Sequence, residues 1–353
     1  MLDADQTYGG PWLKRFTFLT AAATFVLIWM GGLVTSHNAG LAVPDWPNTY
    51  GYNMFFFPVS KWIGNVFYEH THRLMASAVG MLTLALLAWL IAARVPKWLR
   101  TLGVIAFFAV VAQGVLGGLR VIELKDALGI FHATLAQLFF ALVSAMALVQ
   151  TEFWRRLPVH AEEDRGGYRG LLVLTTCLVL GQLALGATMR HQHAGLSIPD
   201  FPAADGKVWP DTDPASILRY NQMRMESAGE QPITAAQVIL QMAHRMTAAA
   251  ILGLVATCLV TAWRRFGPRH CLTRGAMVWM GLVLTQALLG AATIWTGKAA
   301  DVATAHVACG ALCLATGGLT SILSFRMLAA PKAIGVVVED TAVKTLLAPS
   351  AGS

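Results

Sequence analysis

Eight stretches of about 20 or more mostly apolar residues divide this chain, separated by charged or turn-rich breaks. Each is long enough to cross a bilayer core of about 30 Å as a helix. With 56% hydrophobic and 13% charged residues, the chain is too apolar for an ordinary soluble globular protein. The pattern predicts an all-α integral membrane protein with eight transmembrane helices, at about 15–36, 62–93, 101–122, 127–153, 171–190, 234–263, 275–296 and 301–325.

Basic residues are concentrated in the breaks on one side of these spans. The positive-inside rule puts that side, with both chain termini, in the cytoplasm. The net charge of +7 therefore reflects topology and is not interpreted as a nucleic-acid-binding surface. The first 11 residues contain no Arg, unlike a mitochondrial transit peptide, so we predict a bacterial cytoplasmic membrane. Sixteen of the 26 Lys and Arg fall on this side: Lys14, Arg15, Arg94, Lys97, Arg100, Arg155, Arg156, Arg165, Arg169, Arg264, Arg265, Arg269, Arg274, Arg326, Lys332 and Lys344.

The chain also contains an internal duplication. Residues 39–47 (AGLAVPDWP), after the first span, match residues 194–202 (AGLSIPDFP), after the fifth, at an offset of 155. Corresponding helix residues then keep an offset of 172 to 174: His72-Arg73 with His244-Arg245, Gln113 with Gln286, Gly117 with Gly290, and His132 with His306.

Because the register persists across four helices, the duplication predicts two tandem, pseudo-symmetric four-helix bundles. Each half has an even number of spans, so the pseudo-symmetry axis runs along the membrane normal. The predicted domains are 1–160, 161–330 and a cytoplasmic tail, 331–353. The second half has the longer external loop, 191–233, in which 205–229 is long and polar enough for a lid or an interaction surface.

Four histidines lie inside the spans: His72, His132, His244 and His306. Ionisable groups at such depth are costly and usually face a bundle interior. Each falls about 8 to 15 Å below the outer surface at 1.5 Å per residue, so the two of each half can face each other. No third His, Cys or carboxylate ligand is repeated beside them, which suits axial ligation of haem better than tetrahedral zinc. For any one isolated histidine, an interhelical hydrogen bond is the alternative.

Arg73 and Arg245 directly follow a ligand candidate in each half. Guanidinium pairs with carboxylates, so both are predicted to bind haem propionates, a role compatible with snorkelling to the interface. The four helices without these histidines carry small residues that we expect to form the other walls of the pockets, although ordinary helix packing also uses them. These are Gly31-Gly32, Gly117-Gly118, Gly186-Ala187 and Gly290-Ala291, the last three preceded by Gln113, Gln182 and Gln286.

The two halves differ at one informative position. Glu69 lies three residues before His72 on the same helix face, whereas the second half has Gln241 there. A buried carboxylate with no counterpart is a candidate for proton transfer or for stabilising cationic charge. The alternative is a polar cap on the outer turn of the helix. The difference predicts a reactive first half and a supporting second half, and His70 is predicted to point away from the Glu69 and His72 face.

Several motifs spread from the first span to the eighth occur together in this chain: Glu69-x-x-His72-Arg73, His132, His244-Arg245, His306 and the twin Ala-Gly-Leu-x-x-Pro-Asp-x-Pro loops. In this combination the chain resembles the haem A synthase family (CtaA/Cox15). The resemblance implies an oxidoreductase that converts the C8 methyl of haem O to a formyl group, giving haem A for terminal oxidases.

By this resemblance, His72 and His132 hold the haem O or haem A iron, and Glu69 is the catalytic carboxylate. His244 and His306 hold the iron of a haem b that passes electrons. Neither external loop contains a cysteine, so the chain is similar to the cysteine-free-loop subclass.

The resemblance also implies partners. Haem O synthase would supply the substrate and terminal oxidase assembly would receive the product, while membrane lipid surrounds the chain. The sequence identifies no electron acceptor and leaves a homo-oligomer open. We hypothesise that the methyl group is oxidised in two steps, through an alcohol and a hydrated aldehyde, with Glu69 stabilising a cation or moving protons.

Two other functions use the same residues differently. A di-haem b-type electron-transfer protein, linked to quinol, would use all four histidines but predicts equivalent halves. A proton-coupled transporter built on a parallel repeat would more naturally show helices broken at mid-span, and it predicts a colourless protein.

Overall fold

Eight long helices form the body of the protein. The computed structural model describes residues 8–164, 166–228 and 231–329. Each helix is long and apolar enough to cross a bilayer, which confirms the predicted all-α membrane protein with eight spans. The helices are α1 (Gly10–Ser36), α2 (Gly64–Ala92), α3 (Lys97–Glu123), α4 (Asp126–Val149), α5 (Tyr168–His191), α6 (Ala235–Phe266), α7 (Cys271–Trp295) and α8 (Ala300–Met327).

Local sequence explains where α6 begins and where α4 ends. Thr234 begins α6 with a capping box: its Oγ1 accepts from the Gln237 backbone N–H at 3.3 Å, and Gln237 Oε1 accepts from the Thr234 N–H at 2.9 Å. α4 ends at Val149, before the predicted 153. The reason is that Thr151 caps a separate short helix, Glu152–Arg156.

The helices pack in two groups of four. α1 to α4 contact one another around a closed ring, and so do α5 to α8. The groups meet through α1 and α4 on one side and α5 and α8 on the other. At this junction Arg190 Nη2 donates to the Gly32 carbonyl at 2.8 Å, and the Ser36 and Thr304 hydroxyls lie 3.1 Å apart. α8 is the most enclosed helix, with 67% of its apolar window buried against 17% to 39% for the others.

The two ends of the bundle differ in their connections. On one end, strand β1 (Glu162–Glu163) pairs in parallel with strand β2 (Leu328–Ala329), which joins the α4–α5 connection to the end of α8. We call this end the terminal face, and the opposite end, with loops 37–63 and 192–234, the loop face. The assignment of the terminal face to the cytoplasm and the domain limits at 160 and 330 remain predictions. Arg165 and the predicted tail 331–353 lie outside the described residues.

The long second loop contains a helix that the sequence analysis did not predict. Residues Pro214–Ala228 are helical, within the stretch expected to be a polar lid or interaction surface. Tyr220 of this helix is buried with Ile198 of the loop and with Val238 and Met242 of α6. This apolar contact holds the helix on the loop face.

Candidate functional site

Each of the four buried histidines lies against a glycine of the preceding helix. A Cβ atom built on the glycine would come within 3.1 to 3.3 Å of the imidazole Cε1, a closer approach than most side chains tolerate. The small residues predicted to form pocket walls therefore receive the imidazole rings themselves. The pairs are Gly31 with His72, Gly117 with His132, Gly186 with His244, and Gly290 with His306.

Glutamine side chains form hydrogen bonds across two of these helix pairs. Gln113 Nε2 donates to the His132 carbonyl at 2.9 Å, and Gln182 Nε2 donates to the His244 carbonyl at 2.9 Å. His132 Nδ1 also lies 3.1 Å from the Gln113 carbonyl oxygen. These hydrogen bonds hold α4 in register with α3, and α6 in register with α5.

We call the sites between the two histidines of each half the first and second pockets, and the spacing of the imidazoles in the second pocket suits two axial ligands of a haem iron. The ring centres of His244 and His306 are 6.5 Å apart and the ring planes are inclined by 67°. Two metal–nitrogen bonds of about 2.0–2.1 Å, with about 1 Å from each nitrogen to its ring centre, require about 6 Å. One ring nitrogen of each of these histidines is buried without a hydrogen-bond partner among the described residues. These features fit an iron held between the two rings.

The first pocket offers the same ligand type. His72 has a buried ring nitrogen with no partner in the described parts of the chain, and His132 is close enough to act on it electrostatically. In residues 8–164, 166–228 and 231–329, no group of three or more His, Cys, Asp and Glu side chains could hold a metal ion. A macrocycle that supplies its own equatorial ligands therefore suits the pockets better than a polydentate ion site.

Glu69 and Arg73 attach the first external loop to α2 through hydrogen bonds, and we call this attachment the clasp. Glu69 is only 4% exposed; its Oε2 accepts from the Val43 N–H at 2.9 Å and its Oε1 accepts from Arg73 Nη2 at 2.7 Å. Arg73 Nη1 also donates to the carbonyls of Asp45 and Asn48 at 2.7 and 3.0 Å. Both carboxylate oxygens are thus hydrogen-bonded at the base of the loop.

Gln241 and Arg245 make the equivalent clasp in the second half. Gln241 Oε1 accepts from the Ile198 N–H at 2.7 Å, the counterpart of Val43. Arg245 donates to the carbonyls of Asp200 and Ala203 at 2.8 and 2.9 Å, the counterparts of Asp45 and Asn48. An amide therefore replaces the carboxylate without changing the loop attachment.

The loops share one further element, a turn held by an aspartate. Asp45 accepts from the backbone N–H groups of Tyr50 and Gly51 at 2.7 and 2.8 Å, and Asp200 accepts from the corresponding two groups at 2.8 and 3.0 Å. Burial acts to raise the pKa of Asp45, but the backbone donors and Arg73 outweigh it and lower that pKa. The pKa of Asp200 is lowered in the same way, against burial, by its backbone donors and Arg245.

The structure places the remaining candidates as follows. His70 is fully buried under the loop, with Nδ1 3.2 Å from Thr49 Oγ1 and its ring against Phe57 and Trp62. It therefore serves the loop, consistent with the expectation that it points away from the pocket. Arg73 and Arg245 use donors on loop carbonyls, so their binding of haem propionates stays a prediction.

Two residues near the first pocket were not identified from the sequence. Trp46, in the middle of the loop, lies flat against Gly118, where a Cβ atom would come within 2.3 Å of the indole. Arg120, one turn from Gly117 on α3, has its guanidinium against Gly40 of the loop. Neither residue is repeated in the second half, which has Phe201 where the first has Trp46 and Thr293 where it has Arg120.

Comparisons with known proteins cover most of this chain. Residues 14–317 match the COX15-CtaA family, described as cytochrome oxidase assembly protein. A protein of Symbiobacterium thermophilum named haem A synthase is 30% identical over 77% of this chain and 82% of its own length. Proteins of the same name from Shouchella clausii and Geobacillus thermodenitrificans are 26% and 24% identical. Their matches cover 81% and 94% of this chain and 88% and 97% of their own lengths.

Proposed function

This chain belongs to the COX15-CtaA family, and from that membership we propose that it is a haem A synthase. The activity is that of a multi-pass oxidoreductase of the bacterial cell membrane, which converts haem O to haem A by oxidising the C8 methyl to a formyl group. Relatives that bear this name match nearly their whole length, so the likeness is not confined to one half.

One observation supports the assignment most directly: only one of two matched loop clasps contains a carboxylate. Glu69 and Gln241 bind corresponding backbone N–H groups of corresponding loops. An electron-transfer protein with two equivalent haems would have no use for this difference. A charged group beside a single pocket is what a reaction in that pocket requires.

We assign the substrate to the first pocket and a resident haem b to the second. His72 and His132 would hold the iron of haem O and then of haem A, and His244 and His306 would hold haem b. When bound, haem b supplies a one-electron redox centre. The glycines against the four imidazoles keep the ligand rings in place, because a larger residue there would displace them.

Glu69 is the residue proposed to act on the reacting edge. Oxidation of a methyl group releases protons, and a buried carboxylate can accept them or stabilise a neighbouring cation. The Arg73 guanidinium and the Val43 N–H fix both carboxylate oxygens, so the group is positioned before substrate arrives. The loop held by this clasp lies on α2 and would limit the access of water to the pocket.

The supply and use of the product remain part of the proposal. An enzyme that makes haem O in the membrane would deliver the substrate, and assembly of a terminal oxidase would consume haem A. Lipid would surround the eight spans, each of which is long and apolar enough to cross a bilayer. Haem O and haem A would pass between these partners through the apolar interior of the bilayer.

The haem content of the purified chain tests this function. The protein is produced in cells that also make haem O, and the extracted haems are separated by chromatography with mass detection. Haem B together with haem O or haem A is the expected result. Haem B alone at two per chain would contradict the assignment and indicate an electron-transfer protein, and a colourless chain would contradict every haem-based function.

A pair of variants then tests the role of Glu69. Glu69→Gln should keep its haems but lose haem A formation by at least about 100-fold, since Gln241 shows that an amide can hold the loop. Gln241→Glu is the matched control and should keep haem A formation. Near-normal haem A from Glu69→Gln would remove the carboxylate from the mechanism.

A further inference from the structure

Arg120 lies at the rim of the first pocket. It follows Gly117, which meets the His132 ring, by three residues, so both lie on the same side of α3. α3 runs toward the loop face, and one helical turn separates the two positions by about 4.5 Å at 1.5 Å per residue. The guanidinium is therefore placed just above the imidazole ligands, between the pocket and the loop.

Space for this guanidinium is provided by a glycine of the loop. A Cβ atom at Gly40 would come within 3.0 Å of Arg120 Nη1 and 3.2 Å of Nη2. The counterpart in the second loop, Gly195, has no atom within 4 Å of its Cβ position, and α7 carries Thr293 where α3 carries Arg120. At these matched positions, a guanidinium against the loop glycine is therefore found in the first half and not in the second.

The donors of Arg120 differ from those of the neighbouring arginines. Arg73 and Arg245 donate to loop carbonyls, and Arg190 donates to the Gly32 carbonyl. Across the described ranges of the chain, the half-buried guanidinium of Arg120 makes no hydrogen bond and no ion pair, although Glu69 and Asp126 act on it electrostatically. Its planar set of N–H donors therefore has no protein acceptor among these residues and can bind a ligand.

The electrostatic field of Arg120 also reaches the ligand pair. The guanidinium acts on both His72 and His132. A positive group near the two imidazoles favours an anion at the edge of the group that they ligate. Carboxylates are the anions that guanidinium binds best, through two parallel N–H···O bonds.

We propose that Arg120 binds a propionate carboxylate of the haem held by His72 and His132. This inference rests on the proposed function and refines it. Two axial nitrogens fix the iron but leave the macrocycle free to rotate about the line that joins them. A carboxylate anchored at one point of the rim stops that rotation, and it decides which methyl group faces Glu69. Arg120 is in this sense a positioning residue.

A binding experiment without turnover tests the proposal. The full chain is purified from cells that make no haem O, so that it retains haem b, and is titrated with ferric protohaem and with protohaem dimethyl ester. Absorbance reports ligation. The wild-type chain should bind the free acid about 10- to 100-fold more tightly than the ester, the range expected for hydrogen bonds to a charged group. No preference for the acid would overturn the proposal without recourse to any variant.

Variants assign the preference to Arg120. In Arg120→Gln the acid and the ester should bind within about threefold of each other, and Arg120→Lys should keep part of the preference because it keeps the charge. Partition of the two probes into detergent is the same for every variant, so it cancels in the comparison. Arg219→Gln, which removes an exposed arginine of the Pro214–Ala228 helix, is the matched control and should behave as wild type.

Other outcomes are equally decisive. An unchanged preference in Arg120→Gln would overturn the proposal. So would a wild-type chain that shows no preference and copurifies with phospholipid released by Arg120→Gln, since the guanidinium would then bind a headgroup phosphate. His72→Ala should abolish the titration, which shows that the first pocket is being measured. The probe is protohaem, so this result does not depend on whether the extracted wild-type protein contains haem O or haem A. The proposal for Arg120 and the proposed function can therefore fail separately.

Discussion

The two halves of the molecule attach their external loops with the same contacts, yet they treat charge differently. In both, a side chain of α2 or α6 accepts from a loop N–H, an arginine donates to loop carbonyls, and an aspartate accepts from two backbone N–H groups of a turn. Among the described residues, a carboxylate in the clasp and an arginine without a hydrogen bond beside the loop occur in the first half only. The two halves share these loop contacts, while the charged groups suited to a reaction lie in one of them. Substitutions at matched positions test what this difference does.

The largest effect is expected from exchanging the axial ligands for alanine, one half at a time. His72→Ala should lose more than about tenfold of the haem O and haem A per chain while keeping haem B. His244→Ala should do the reverse, because the two pockets share no ligand. Haem extraction with chromatography measures both. Loss of all haem from either variant would show that the pockets are not independent.

A smaller effect is expected where Trp46 packs on Gly118. Gly118→Ala should destabilise the first half by about 1–3 kcal/mol, because the new Cβ atom would come within 2.3 Å of the indole. The corresponding residue of α7, Ala291, already carries a Cβ atom. Thermal unfolding in detergent is the measurement. Gly114→Ala, on the same helix with open space at its Cβ position, is the control and should be neutral or slightly stabilising.

The smallest effect is expected at low pH, where the turns closed by Asp45 and Asp200 should lose stability to the same extent. The pKa of Asp45 and that of Asp200 are lowered in the folded loops, so their stabilising effect is present above the ordinary aspartate pKa of about 3.9. It is lost as the pH falls through the lowered values. Hydrogen exchange at the Gly51 and Gly206 amides should therefore accelerate only at strongly acidic pH.

Substitution separates this acid effect from general unfolding. Asp45→Ala removes both acceptors, so it should release the Gly51 amide at every pH and leave Gly206 protected, and Asp200→Ala should do the opposite. Acceleration of both amides in either variant would mean that the two loops are coupled and would contradict the independence of the turns.

Much of the helical architecture could be predicted from the sequence, because apolar length and a repeated register are properties of the chain itself. The four histidines could also be singled out by their depth. What could not be predicted were partners that depend on irregular backbone. The contacts of Arg73 and Arg245 with loop carbonyls are one case, since nothing in the sequence shows that these carbonyls return to meet them. Their binding of haem propionates stays a prediction.

The turn and the extra helix were missed for related reasons. The repeat between the loops continues as far as Gly51 and Gly206, but beyond residue 47 little side-chain identity remains to show it. The Pro214–Ala228 helix is polar overall, and only its packing through Tyr220 against α6 makes it regular. Tertiary contact decides the conformation of such segments.

The central place of α8 has a consequence for how the protein is made. α8 follows the other seven helices along the chain, and it contacts α1, α4, α5 and α7. Until it enters the membrane, His244 lacks the imidazole of His306 opposite it. His72 and His132 lie on α2 and α4, which are synthesised earlier. The first pair of histidines can therefore come together earlier during translation, and the second pair meets only once α8 is in place.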